Sequence, residues 1–143
     1  MRRARTAELM RILLVEDSLP DVELTLEALA GAKVANEVTV VRDGASALKQ
    51  LRDPSNLLPD LVILDLNLPR VSGHEVLAAM RAEERLRRVP VAVLTTSSAE
   101  ADVARTYDLG ANCFLTKPVD IDQFVHVVQS IDDFWLGLVR LPQ

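Results

Sequence analysis

Five short aliphatic runs limit what this chain can fold into. They read Ile12-Leu13-Leu14-Val15, Val38-Thr39-Val40-Val41, Leu61-Val62-Ile63-Leu64, Val91-Ala92-Val93-Leu94 and Cys113-Phe114-Leu115. Runs without polar alternation suit strands covered on both faces of a parallel sheet. Stretches of helical period lie between them. Leu19, Val22, Leu26 and Leu29 recur on one face, as do Leu48 and Leu51, then Val76, Leu77 and Met80, then Val103 and Tyr107. Asp43-Gly44, Pro59-Asp60, Ser72-Gly73 and Leu109-Gly110 punctuate the boundaries. A fifth helix is predicted from Ile121 to Val139. Strict alternation of strand and helix implies a doubly wound α/β sandwich of three layers, with right-handed crossovers. The 143 residues make one domain, with no internal repeat and no low-complexity stretch. The expected organisation is a polar tail over 1–10, the domain over 11–132, and an extension of the fifth helix over 133–143.

Composition removes several classes of function. A chain of this size buries enough surface to need no disulfide or zinc staple. The net charge of −5 repels phosphate backbones, so nucleic acid is not expected as a partner. Arg2, Arg3 and Arg5 form one short basic cluster without aromatics, as a solvated tail does. No stretch approaches the roughly 18 apolar residues of a membrane span, and the N-terminus has no apolar signal core. The one cysteine, Cys113, fits a reducing cytoplasm. With two histidines and one cysteine, a zinc or iron centre lacks ligands, so any metal must sit on carboxylate oxygens.

Those carboxylates fall in telling places. Glu16 and Asp17 follow the first run, Asp65 the third, Thr95 the fourth and Lys117 the fifth. Open parallel sheets bind ligands beyond the carboxyl ends of their strands, where the winding reverses. In the order 2-1-3-4-5, a known arrangement that the runs alone do not dictate, strands one and three are neighbours there. Glu16, Asp17 and Asp65 then converge. Three adjacent carboxylates repel one another unless one is protonated or a cation compensates. A hard divalent ion such as magnesium suits such oxygens and also binds phosphate. Lys117 adds a compact positive charge and Thr95 a hydroxyl. The set favours in-line phosphoryl transfer onto Asp65, chemistry that needs mostly positioning and charge neutralisation. Taken singly, each residue has a plainer reading: Asp17 or Thr95 as a helix cap, Lys117-Pro118 as a surface loop.

The combined pattern resembles the response-regulator receiver domain of two-component signalling, the CheY-like fold. It is carried by Val15-Glu16-Asp17, by Leu64-Asp65-Leu66-Asn67-Leu68-Pro69 with Ser72-Gly73, by Leu94-Thr95-Thr96, by Gly110-Ala111, and by Phe114-Leu115-Thr116-Lys117-Pro118. The match runs from about Arg11 to Ser130. The resemblance implies that Asp65 accepts phosphate from a histidine kinase. It implies magnesium on Glu16, Asp17, Asp65 and the backbone carbonyl of Asn67. It gives Thr95 and Lys117 the phosphoryl group, Phe114 a switch position that turns inward as Thr95 moves, and the peptide before Pro118 a cis geometry. Phe114 also reads simply as a core ring. Asp-Leu-Asn-Leu-Pro, the long segment Arg52 to Pro59 and the ending Phe134-Trp135-Leu136 further resemble single-domain regulators paired with bacterial and cyanobacterial phytochromes. A phytochrome kinase is then the expected donor, docking on the first helix and the loop after strand five, near Leu19, Val22 and Pro118 to Ile121. The output is expected to pass to an unidentified downstream protein.

Two other functions use similar parts. A haloacid-dehalogenase-like phosphatase also uses aspartate, magnesium, threonine and lysine, but wants Asp-x-Asp after its first strand and a cap domain. A non-phosphorylated pseudo-receiver would lack one of the acidic residues or the lysine. A homodimer is expected through the fifth helix, where Ile121, Phe124, Val128, Ile131, Trp135 and Leu138 form an apolar stripe. That helix, about 28 Å long at ~1.5 Å per residue, outruns five-residue strands of about 17 Å. Its uncovered end carries the large apolar residues that mark interfaces.

Overall fold

A computed structural model describes residues 9–31, 35–95 and 105–127. Strands β1 (Met10–Val15), β2 (Asn36–Val41), β3 (Leu61–Asp65), β4 (Val91–Thr95) and β5 (Cys113–Thr116) form one sheet in the order β2-β1-β3-β4-β5. Every neighbouring pair is parallel. Helices α1 (Leu19–Ala30), α2 (Gly44–Arg52) and α3 (Gly73–Ala82) follow the first three strands. Among the described residues, 105–108 (α4) and 121–127 (α5) are helical. The doubly wound fold and its strand order are those expected. β1 opens at Met10, which is buried and donates its N–H to Ala35, so the tail ends before that residue.

Successive strand residues point to opposite faces, and here each face has its own core. Ile12, Leu14, Leu61, Ile63 and Leu94 pack with Val22, Leu29, Phe124 and Val127. Leu13, Val15, Val62, Leu64 and Val93 pack with Leu51, Val76, Leu77 and Met80 on the other side. That double burial is why the runs of β1, β3 and β4 carry no polar alternation. β2 departs from it: Glu37 and Thr39 are exposed, because the strand lies at the sheet edge with a neighbour on one side only.

The helical faces also differ from expectation in places. α1 buries Val22, Thr25, Ala28 and Leu29, whereas Leu19 is 55% exposed at its start. Tyr107 is exposed, and Val103 lies outside the described residues. Phe124 is 0% exposed within the core shared by α1 and the sheet. It is a core residue of this fold and not a dimer contact, because α5 turns Phe124 and Val127 inward and leaves Ile121 outside. Val128, Ile131, Trp135 and Leu138, with the 133–143 extension, lie outside the described residues.

One arginine joins the far end of the sheet. Arg81, in the last turn of α3, donates to the Gly110 carbonyl from Nε (2.9 Å) and Nη2 (2.8 Å) and to the Val89 carbonyl from Nη1 (2.8 Å). It also reaches Asn112 Oδ1 at 3.2 Å, which accepts the Val91 N–H. Burial lowers the pKa of the guanidinium, and neutral oxygens hold it. Gly110 has φ +102°, and a Cβ there would come 2.7 Å from Arg81 Nε. Arg81→Met removes every one of these donors at once. The expected loss is about 3 kcal/mol in urea unfolding, the scale for charged hydrogen bonds whose buried acceptors go unmet. A loss below about 1 kcal/mol would show that water replaces the guanidinium freely.

Candidate functional site

The register brings the strand-end residues together. Val15 of β1 pairs with Leu64 of β3, so the next residues, Glu16 and Asp65, are neighbours. Glu16 also donates its N–H to the Val41 carbonyl (3.0 Å), which extends β1 beyond its last strand residue. Asp65 is the final residue of β3 and does not merely follow it, because the Leu66 N–H still reaches the Leu94 carbonyl (3.3 Å). Thr95 ends β4 opposite Thr116 of β5, and Lys117 comes next. The Lys117-Pro118 peptide is cis. Carboxylate oxygens of Glu16, Asp17 and Asp65 lie within 4.8 Å of one another. Glu16 (0% exposed) and Asp65 (1%) are buried, and Asp17 is the most open of the three.

Local chemistry holds this geometry. Ser18 caps α1, its Oγ accepting the Asp21 N–H at 3.4 Å, which leaves the Asp17 carboxylate free of that task. Arg42, just past β2, donates to the Asp17 carbonyl at 2.6 Å and ties down the β1–α1 loop. Ser72 and Glu75 form a capping box at the start of α3. Gly73 donates to the Leu66 carbonyl at 3.2 Å. Its missing side chain is what lets α3 begin against the Asp65 backbone: a Cβ at Gly73 would overlap the Asp65 carbonyl oxygen and lie 2.7 Å from Leu66 Cα.

Charge in the site is not balanced by protein groups alone. Lys117 Nζ stands 2.8 Å from Glu16 Oε1 and 3.3 Å from Asp65 Oδ2. The Ser18 N–H donates to Glu16 Oε2 (3.1 Å), and the Asn67 N–H to Asp65 Oδ1 (3.1 Å). The other oxygens, Glu16 Oε1 and Asp65 Oδ2, are buried yet accept no well-directed hydrogen bond. Burial pushes the Glu16 carboxyl up to about 7, against the pull of Lys117 and the Ser18 N–H, and the Asp65 charge adds to the rise. Burial alone would lower the Lys117 pKa. The close carboxylates of Glu16 and Asp21 and the charge of Asp65 outweigh it and raise the pKa. Buried carboxylates with unspent lone pairs, all oxygen and no sulfur, fit a hard divalent cation.

A fourth carboxylate enters the site that the strand-end pattern missed. Asp21, in the first turn of α1, accepts a hydrogen bond from Lys117 Nζ at 3.0 Å. Its position four residues after Asp17 was the available signal. Phe114, on β5, is half-buried against the core, with its ring centroid 5.3 Å from that of Tyr107 at a tilt of 45°.

Comparison with known proteins places the whole arrangement. The response regulator receiver domain model matches residues 12–129. Response regulator Rcp1 of Synechocystis sp. is 43% identical over 135 residues, covering 92% of each protein. The crystal structure of its Mn(2+)-bound form superposes with a TM-score of 0.72, covering 94% of this chain and 99% of that one. The bacteriophytochrome response regulator AtBRR gives 0.79 at 46% identity, covering 90% and 96%. The phosphorylated cyanobacterial phytochrome response regulator RcpA gives 0.74 at 43% identity, covering 94% and 99%. These likenesses favour neither the phosphatase nor the pseudo-receiver. Among the described residues no helix is long and apolar enough to cross a membrane. The chain belongs to the response-regulator receiver domains, modules of phosphorylation-dependent signalling in two-component systems, and phytochrome response regulators are among its relatives.

Proposed function

We propose that Asp65 accepts a phosphoryl group from the phosphohistidine of a phytochrome-type sensor kinase. The observation that carries this reading is Asp65 Oδ2: buried, free of any well-directed hydrogen bond, and facing an ammonium between two further carboxylates. In the transfer, that oxygen forms the new bond to phosphorus as the bond to the kinase imidazole breaks; the imidazole nitrogen keeps the bonding pair and takes a proton from water. Lys117 pairs with the transferred oxygens and Thr95 donates its hydroxyl to them. Magnesium held by Glu16, Asp17, Asp65 and the Asn67 carbonyl would neutralise charge on the phosphoryl oxygens. Phe114 turns inward as Thr95 moves, which changes the surface offered to a downstream protein. The chain's chemistry is confined to its own aspartate.

The kinase class is supported by the relatives named as bacteriophytochrome and cyanobacterial phytochrome response regulators. The docking surface is supported by an open groove between α1 and the segment after β5, where Leu24, Ala28, Pro118, Val119 and Ile121 line the walls. Leu19 and Leu24 are exposed on α1, while Val22 is buried and drops out of that surface. Transfer kinetics from phosphorylated kinases of several sensor classes test the pairing. Phytochrome kinases are expected to transfer fastest. Equal rates from unrelated kinases would overturn the pairing, and no transfer from any kinase would overturn the function.

Magnesium affinity is expected to fall on the order of tenfold or more in Asp17→Ala, since a hard cation loses a carboxylate ligand. Thr95→Ala is expected to leave it nearly intact. Titration of both variants, followed by NMR of backbone amides near Asp65, measures this. Equal affinity in Asp17→Ala and wild type would contradict the ligand set.

A further inference from the structure

We propose that Asp21 is a positioning residue for Lys117: it holds the ammonium toward α1 in the resting protein and gives up part of that hold when Asp65 carries a phosphoryl group. The inference rests on Asp65 being the acceptor. It begins from how Lys117 divides its donors. Three carboxylates lie within 3.3 Å of Nζ, those of Glu16, Asp21 and Asp65. The oxygens of Glu16 and Asp65 that face it receive no well-directed hydrogen bond, whereas Asp21 Oδ2 receives one at 3.0 Å.

Asp21 is well placed to do this and little else. It sits in the first turn of α1, its N–H bound to the Ser18 cap, so its backbone is fixed relative to the β1–α1 loop. It is outside the Glu16, Asp17 and Asp65 cluster that fits a cation. Its side chain is about one-third exposed and that of Lys117 is nearly buried, so the pair is screened but not dissolved by water.

The consequence is a competition. Holding the ammonium toward α1 keeps it 3.3 Å from Asp65 Oδ2 without a directed hydrogen bond, so that oxygen keeps its lone pairs for attack on phosphorus. After transfer, the acceptor carries an extra negative charge and draws Lys117 toward it. Asp21 opposes that draw, so it favours the resting protein over the phosphorylated one. Removing its charge should therefore strengthen binding of any phosphoryl-like anion at Asp65. The loss of an acidic residue from the first helical turn can lower stability, but that effect by itself would not tighten anion binding.

Beryllofluoride, which mimics the phosphoryl group on aspartate, tests this at saturating magnesium with NMR of backbone amides near Asp65. Asp21→Asn is expected to bind roughly two- to fivefold more tightly than wild type, the scale of one partly screened ion pair. Asp21→Glu, which keeps the charge, is expected to restore affinity close to wild type. Equal or weaker binding in Asp21→Asn, with wild type binding normally, would overturn the role of Asp21 and leave the acceptor assignment standing. No binding to wild type would overturn both.

Discussion

Asp65→Asn is expected to take up no phosphate from acetyl phosphate and magnesium while keeping its fold. The amide oxygen can still accept the Asn67 N–H that now bonds Asp65 Oδ1 at 3.1 Å. What is lost is the nucleophile. Neither remaining cluster carboxylate can replace it. Glu16 has one oxygen on the Ser18 N–H and the other 2.8 Å from Lys117, and Asp17 stands on the more open loop. A nucleophile misplaced by about 1 Å already loses roughly a hundredfold in rate, so labelling should fall by at least that factor. Intact-protein mass spectrometry measures it. Undiminished labelling of a folded Asp65→Asn protein would contradict the assignment.

Gly73→Ala is expected to damage stability and transfer together. The added Cβ would overlap the Asp65 carbonyl oxygen, approach Leu66 Cα to 2.7 Å and the Asp65 carbonyl carbon to 3.1 Å. All three are backbone atoms at the end of a central strand, so no side chain can swing aside. α3 must shift, although its fully buried side chains Val76, Leu77 and Met80 anchor it against the sheet. Overpacking of this kind costs about 3 kcal/mol, which urea unfolding would read. Because the clash falls on the acceptor residue itself, the surviving folded protein should also label more slowly. A loss under about 1 kcal/mol with normal labelling would show that the helix start has slack.

The parts of the fold that were legible are those where one cause decides the residue type. β1, β3 and β4 are covered on both faces, so their runs had to be continuous Val, Ile and Leu. Glu16, Asp17, Asp65, Thr95 and Lys117 were legible as a set because parallel strands end at a common edge. Misreadings arose where a period does not say which neighbour covers it. Leu19 continues the α1 stripe but lies at the helix start, where it stays exposed, while Thr25 takes a buried place that no apolar pattern marks. Ile121 and Phe124 share a stripe in sequence, yet the core takes Phe124 and leaves Ile121 out. Asp21 was missed as a site residue because its spacing from Asp17 names no partner: Lys117 is 96 positions away in the chain.

If the converging strand-end residues make Asp65 the phosphoacceptor, the wild-type protein phosphorylated with magnesium present should carry its phosphate there. Peptide mass spectrometry of the labelled protein is expected to find phosphate on the peptide carrying Asp65 and on no other carboxylate. Phosphate on Asp17, Glu16 or Asp21, or on either histidine, would contradict it.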